Sequence, residues 1–147
     1  MTGSDCVVSN SVYFKDELPQ FTVALVEGPA FGGGAGLVAA CDYAVATKGA
    51  KFAFSEVKLG LVAATISPHV VDAIGPRRAK SLFATGRMFD AAFAETIGLV
   101  DEVVPVAADL DDAMERLATE IMACAPGAVA RSKTLVDDVA GVPMDGE

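Results

Sequence analysis

Glu56 and the run Gly28-Pro29-Ala30-Phe31-Gly32-Gly33-Gly34 are the parts of this chain whose chemistry is easiest to name. Three adjacent glycines leave backbone N–H groups uncovered, so a ligand can approach them closely. The run lies between apolar stretches at 21–26 and 37–41, an order that reads as strand, loop and start of a helix. A helix N-terminus aims partial positive charge into the same space. The loop therefore suits an anion, either a phosphate or an oxyanion that develops during a reaction.

Two phosphate motifs compete for these glycines. Gly34-Ala35-Gly36-Leu37-Val38-Ala39 fits the loose dinucleotide pattern G-x-G-x-x-A. Against it, the 27–33 stretch is too long for that fingerprint's tight first turn. The next predicted strand, 42–47, also ends in Lys48 instead of an acid that would hold a ribose. No G-K-[ST] follows, which excludes a Walker A loop. A close-packed glycine turn without a ligand is the plainer alternative. Glu56 closes the segment Lys51-Phe52-Ala53-Phe54-Ser55-Glu56, predicted as a short strand. Alternation puts Phe52, Phe54 and Glu56 on one side. A carboxyl beside two phenylalanines is poorly solvated, which suits it to general acid/base work. The alternative is that Glu56 turns back to water where the strand ends.

The elements around these residues are mostly helical. Ser67-Pro68 reads as an N-cap followed by proline at the first helical position, and Gly75 closes that helix. Pro76 opens the next, with Ala79, Leu82 and Phe83 on one face and Gly86 behind. Asp90 is placed to cap a third helix that ends at Gly98, and 99–105 reads as a strand. From Asp109, the residues Leu110, Met114, Leu117 and Ile121 recur at helical spacing. Pro126 starts a last helix with Val129, Leu135 and Val139, and the tail 140–147 is expected to fray. His69, the only histidine, falls in a first helical turn and reads as structural or exposed.

Composition excludes several classes. With 147 residues the chain is long enough for one domain with a core, and 52% of them are hydrophobic. Its mean hydropathy of +0.44 points to surface buried in partners. A net charge of −9 argues against nucleic acid. No apolar run is long enough to span a membrane, and 1–20 lacks a signal pattern. Cys6, Cys41 and Cys124 are odd in number and widely spaced, which fits reduced thiols in a cytoplasmic setting. No metal-ligand spacing occurs. Pro76-Arg77-Arg78-Ala79-Lys80 is a basic cluster that reads as a solvated face, with anion contact as the alternative.

From about residue 22 to about residue 136 the chain resembles the crotonase (enoyl-CoA hydratase/isomerase) superfamily. The stretch Val23-Ala24-Leu25-Val26-Glu27-Gly28-Pro29-Ala30-Phe31-Gly32-Gly33-Gly34 is similar to that family's oxyanion-hole strand and loop. Ala50-Lys51-Phe52-Ala53-Phe54-Ser55-Glu56-Val57-Lys58-Leu59-Gly60-Leu61 resembles its second signature, which carries a catalytic glutamate. Thr85-Gly86-Arg87 and Ile97-Gly98-Leu99-Val100-Asp101-Glu102-Val103-Val104 resemble its later helix and strand. The resemblance implies an α/β, crotonase-like fold. It implies that Gly33 offers an N–H to the thioester oxygen of an acyl-CoA and that Glu56 handles the proton. Ala30, Phe31, Gly32 and Gly34 would line the substrate, and Lys133 would help hold the nucleotide end of CoA. It further implies a trimer or hexamer of identical subunits and no free cofactor, since CoA is part of the substrate.

Three departures shape the expectation. Gly36 stands where two-acid hydratases of the family carry their first glutamate, and Ala63 where its branched-chain hydratase-like members, which share the glycine, usually have proline. The family's domain is also about twice this length, so the chain resembles its C-terminal half and lacks much of the N-terminal β-rich half. The implied organisation is an atypical segment at 1–20, a partial crotonase core at 21–107 and a helical oligomerisation region at 108–147. Hydration of a 2-enoyl-CoA is the first expectation. Isomerisation of a 3-enoyl-CoA, which needs one shuttling carboxylate, is the second. A truncated, non-catalytic acyl-CoA-binding or assembly remnant is the third.

Overall fold

The computed structural model describes residues 20–140, so the expectations for Cys6, the N-terminal segment and the frayed tail lie outside the described residues. Val23–Val26 (β1), Tyr43–Thr47 (β3) and Glu102–Val104 (β6) form a three-stranded parallel sheet in the order β1-β3-β6. β1 is buried along its whole length, as a parallel strand covered on both faces requires. Its register with β3 runs from Val23 opposite Tyr43 to Val26 opposite Ala46. Alternation along these strands divides the core. Ala24, Val26, Ala44 and Ala46 join the larger cluster, and Val23, Leu25 and Val45 face the other way into a second one.

A second small sheet holds Ala30–Phe31 (β2), Lys51–Ala53 (β4) and Phe89–Asp90 (β5) in the order β2-β4-β5. β2 runs parallel to β4, and β5 runs antiparallel to it. Gly33–Ala40 (α1) leads from β2 back to β3. Ser67–Ile74 (α2) and Pro76–Thr85 (α3) follow, then Ala91–Ile97 (α4), with Val70, Ile74, Ala79, Leu82, Ala91 and Ala94 in the larger cluster. Asp90 caps α4 as its position predicts, accepting from Phe93 N at 2.8 Å. Ala108–Met122 (α5) packs Leu110 and Ala113 into the second cluster, so it shares a core with the parallel sheet. Pro126–Val139 (α6) has no buried residue.

Three sequence expectations are corrected. The strand predicted over 51–56 stops at Ala53, because β2 and β5 are two residues each and offer nothing to pair beyond it. Glu56 instead opens a 3-10 turn, Glu56–Leu59, closed by local bonds from Lys58 N to Ser55 O (3.1 Å) and Gly60 N to Val57 O (3.1 Å). Ser67 is already helical, and its hydroxyl donates to Ala64 O at 2.9 Å instead of capping α2. The strand predicted over 99–105 shortens to β6, because only Glu102, Val103 and Val104 pair with β3.

Candidate active site

Gly32 shapes the loop. Its φ of 55° and ψ of −120° lie in a region essentially reserved for glycine. In that conformation its N–H donates to Ala53 O at 2.8 Å, and its carbonyl accepts Gly36 N at 3.1 Å. The first bond ties the loop to the end of β4. The second starts α1. Gly33 and Gly34 are the first residues of α1, where N–H groups precede any intrahelical acceptor. No side chain caps this helix and no acid lies in its first turn. Its N-terminal N–H groups are therefore open to an incoming oxygen, and Gly33 is exposed.

The bond from Gly32 to β4 also brings in Glu56. A Cβ built on Gly32 would lie 3.4 Å from Glu56 Oε1, so carboxylate and loop are neighbours. Glu56 Oε2 is buried and has no hydrogen-bond partner among the described residues. Buried polar atoms are nearly always paired, so an orphan acceptor here fits a site that receives a proton or a water from a ligand. A mostly apolar cavity of about 90 Å³ adjoins the carboxylate, lined by Phe54, Val57, Ala63, Ser67 and Phe83 among others. Phe54 meets Phe83 edge-on with centroids 5.2 Å apart, which fixes the wall on that side.

Gly36 is closed off. A Cβ there would fall 2.2 Å from Ile66 Cγ2 and 2.6 Å from Ile66 Cβ. The space a side chain at 36 would need belongs to Ile66. Of the other predicted residues, Ala30 is buried and pairs with Phe52, whereas Phe31 is 45% exposed beside the loop. The structure does not bring Lys133 to them. Its ammonium lies 2.7 Å from Asp42 Oδ2 and donates to Gln20 O at 2.8 Å. Asp42 Oδ2 also accepts from Thr22 N (2.9 Å) and Thr22 Oγ1 (3.0 Å). Lys133 lines a separate cavity of about 700 Å³ between α6 and the core, to which neither Gly33 nor Glu56 contributes. This clasp and the Ile66 seal escaped the sequence reading. Their partners are far apart in the chain and carry no local pattern.

A profile of the enoyl-CoA hydratase/isomerase family matches residues 14–141. A Thermus thermophilus protein assigned as an enoyl-CoA hydratase is 40% identical over 127 residues, which cover 86% of this chain and 50% of that protein. A crystal structure from Legionella pneumophila, assigned as an enoyl-CoA hydratase/isomerase (crotonase), superimposes with a TM-score of 0.83 at 48% identity. It covers 90% of this chain and 50% of its own. A Thermobifida fusca protein assigned as an enoyl-CoA hydratase, solved in complex with CoA, gives a TM-score of 0.80 at 31% identity. It covers 86% of this chain and 49% of its own. The chain thus has the α/β crotonase fold and spans about half the length of the relatives it matches.

Proposed function

The chain belongs to the enoyl-CoA hydratase/isomerase family, and from that premise we propose that it acts on a 2-enoyl-CoA thioester, adding water with Glu56 as its one acid/base. The thioester oxygen accepts the Gly33 N–H, helped by the open N-terminus of α1, as negative charge builds on it. Glu56 takes a proton from water while the hydroxyl adds to the β-carbon, then returns a proton to the α-carbon of the enolate. The observation that carries this reading is the buried, unpartnered Glu56 Oε2 on a carboxylate whose other oxygen faces Gly32. Ala30, Phe31, Gly32 and Gly34 form the surrounding loop, with Gly32 contributing backbone shape because its N–H is committed to Ala53. No separate cofactor enters this chemistry.

The packing of Ile66 on Gly36 favours a second reading. Isomerisation of a 3-enoyl-CoA needs one carboxylate to remove a proton from the α-carbon and deliver one to the γ-carbon, with no water added. Incubating the chain with 2-enoyl- and 3-enoyl-CoA thioesters and weighing the products separates the two. Gain of one water supports the hydratase, and a shifted double bond at constant mass supports the isomerase. A folded chain that binds acyl-CoA without turnover would instead be the non-catalytic remnant. Glu56→Gln should lower turnover by about 10²–10⁴-fold with folding intact. Full activity in that variant would overturn the role given to Glu56.

The proposal includes a homo-oligomer, a trimer or hexamer, in a cytoplasmic setting. α6 has no fully buried residue and exposes Leu135, Val136 and Val139. Covering such a face takes about 800 Å² per partner. Sedimentation equilibrium reads the assembly directly, and a monomer at high concentration would refute it. Among the described residues, no helix is long and apolar enough to cross a membrane.

A further inference from the structure

Phe93, on α4, has two guanidinium groups at its ring. Arg78 Cζ lies 5.7 Å from the centroid and Arg87 Cζ 5.4 Å. Arg78 comes from the first turn of α3, and Arg87 from the loop that follows that helix. Lys51, at the start of β4, joins Arg87, Met88, Phe89, Asp90 and Phe93 around an open cavity of about 440 Å³. Two guanidinium groups therefore share one ring, and Lys51 lines the open cavity beside it together with Arg87. This cavity shares no lining residue with the one beside Glu56.

The chain has 20 acidic and 11 basic side chains, so acids are plentiful. Even so, none of these three cationic heads pairs with one. Among the described residues the ion pairs are Arg116 with Glu102 and Lys133 with Asp42. Asp90 is the one carboxylate in the cavity wall. Its Oδ1 is occupied by Phe93 N–H, and its backbone lies opposite Lys51 in the β4–β5 ladder. A guanidinium drawn to a ring face keeps its N–H edge outward, with several donors in a fixed fork. Such forks match the paired oxygens of a phosphate, which a lysine reaches as a point charge.

We propose that Lys51, Arg78 and Arg87 form an anion site for a phosphate or pyrophosphate group, seated against Phe93 and Met88. The phosphate can be carried by CoA or be a free inorganic anion. Isothermal titration of the full chain with inorganic pyrophosphate tests the site. Saturable binding that weakens with added salt is expected. The double variant Arg78→Gln/Arg87→Gln should bind at least about tenfold more weakly. Arg77→Gln, on the same exposed turn but off the ring, should leave affinity within about twofold. Arg78→Lys keeps the charge and loses the fork, so an intermediate affinity is expected even if the double variant folds poorly. Parallel titrations with CoA and dephospho-CoA identify the source. Tighter binding of CoA assigns its extra phosphate, equal binding of the two assigns the pyrophosphate they share, and binding of inorganic pyrophosphate but of neither assigns the free anion. Absence of saturable pyrophosphate binding, or binding untouched by the double substitution in a folded chain, overturns the proposal.

Discussion

Replacing Gly36 by alanine tests the packing of Ile66 on that position. In an open helix interior this change stabilises by about 0.5–1 kcal/mol. Gly36 sits within α1, but its added Cβ would fall 2.2 Å from Ile66 Cγ2 and 2.6 Å from Ile66 Cβ. Carbon atoms rest about 3.5–4.0 Å apart, so Ile66 must retreat by more than an ångström. A new rotamer moves Cγ2 but leaves Cβ in place, so the backbone ahead of α2 has to shift. Overpacking of this kind costs about 1–3 kcal/mol. Against the helix gain, a net loss of about 1–2 kcal/mol is expected. Ile66→Ala should relieve it only in part, because its Cβ remains. Ile66→Gly should relieve it fully, and on that background Gly36→Ala becomes stabilising. Urea midpoints at fixed protein concentration, taken around the double-mutant cycle, read the coupling, expected at about 1–3 kcal/mol. A Gly36→Ala chain more stable than its parent, or coupling below about 0.5 kcal/mol, refutes the seal.

Gly32→Ala forces a side chain into a glycine-only conformation and against Glu56 Oε1, so a loss of about 1–3 kcal/mol and of acyl-CoA turnover is expected, read by urea melts and product assay. Lys133→Met breaks an ion pair whose side chains are only 11% and 12% exposed, while Asp42 keeps its two bonds from Thr22. A loss of about 2 kcal/mol is expected, with faster amide exchange along α6, and unchanged exchange would count against the clasp. Burial, aided by Glu102 and Asp101 and opposed by Arg116, holds the Tyr43 phenol above its ordinary 10.0. The unfolded chain then releases this proton first, so stability falls as pH rises past that value. Tyr43→Phe should flatten that alkaline loss in urea midpoints measured against pH.

Much of the fold was legible because local rules agreed with packing. The Val23–Val26 run needed no partner to identify it, since a continuous apolar stretch between turns suits a parallel strand. Pro76, Asp90 and Gly98 marked helix ends by chemistry that acts within one turn. Strand length was less legible. The alternation through Phe52, Phe54 and Glu56 is real in the sequence, but a strand extends only while a neighbour pairs with it. β2 and β5 end after two residues, so β4 ends with them.

That early stop sets where the carboxylate lies. On a continued strand, Glu56 would project from a ladder beside Phe52 and Phe54. The 3-10 turn instead carries it to the glycine loop, whose Gly32 N–H reaches back to the last residue of β4. One hydrogen bond, Gly32 N to Ala53 O, thus closes the distance between the proposed oxyanion donor and the proposed acid/base. Residue types drew attention to both, because bare glycines leave N–H groups open and a carboxyl after phenylalanines is poorly solvated. The seal at Gly36 was not announced, since nothing in the order of residues says that Ile66 folds onto it. A glycine there reads as a lost acid in the sequence and as a filled contact in the structure. A lost acid could be restored by one substitution, whereas Gly36→Glu with Ile66 in place should destabilise the chain and add no second acid/base to the site.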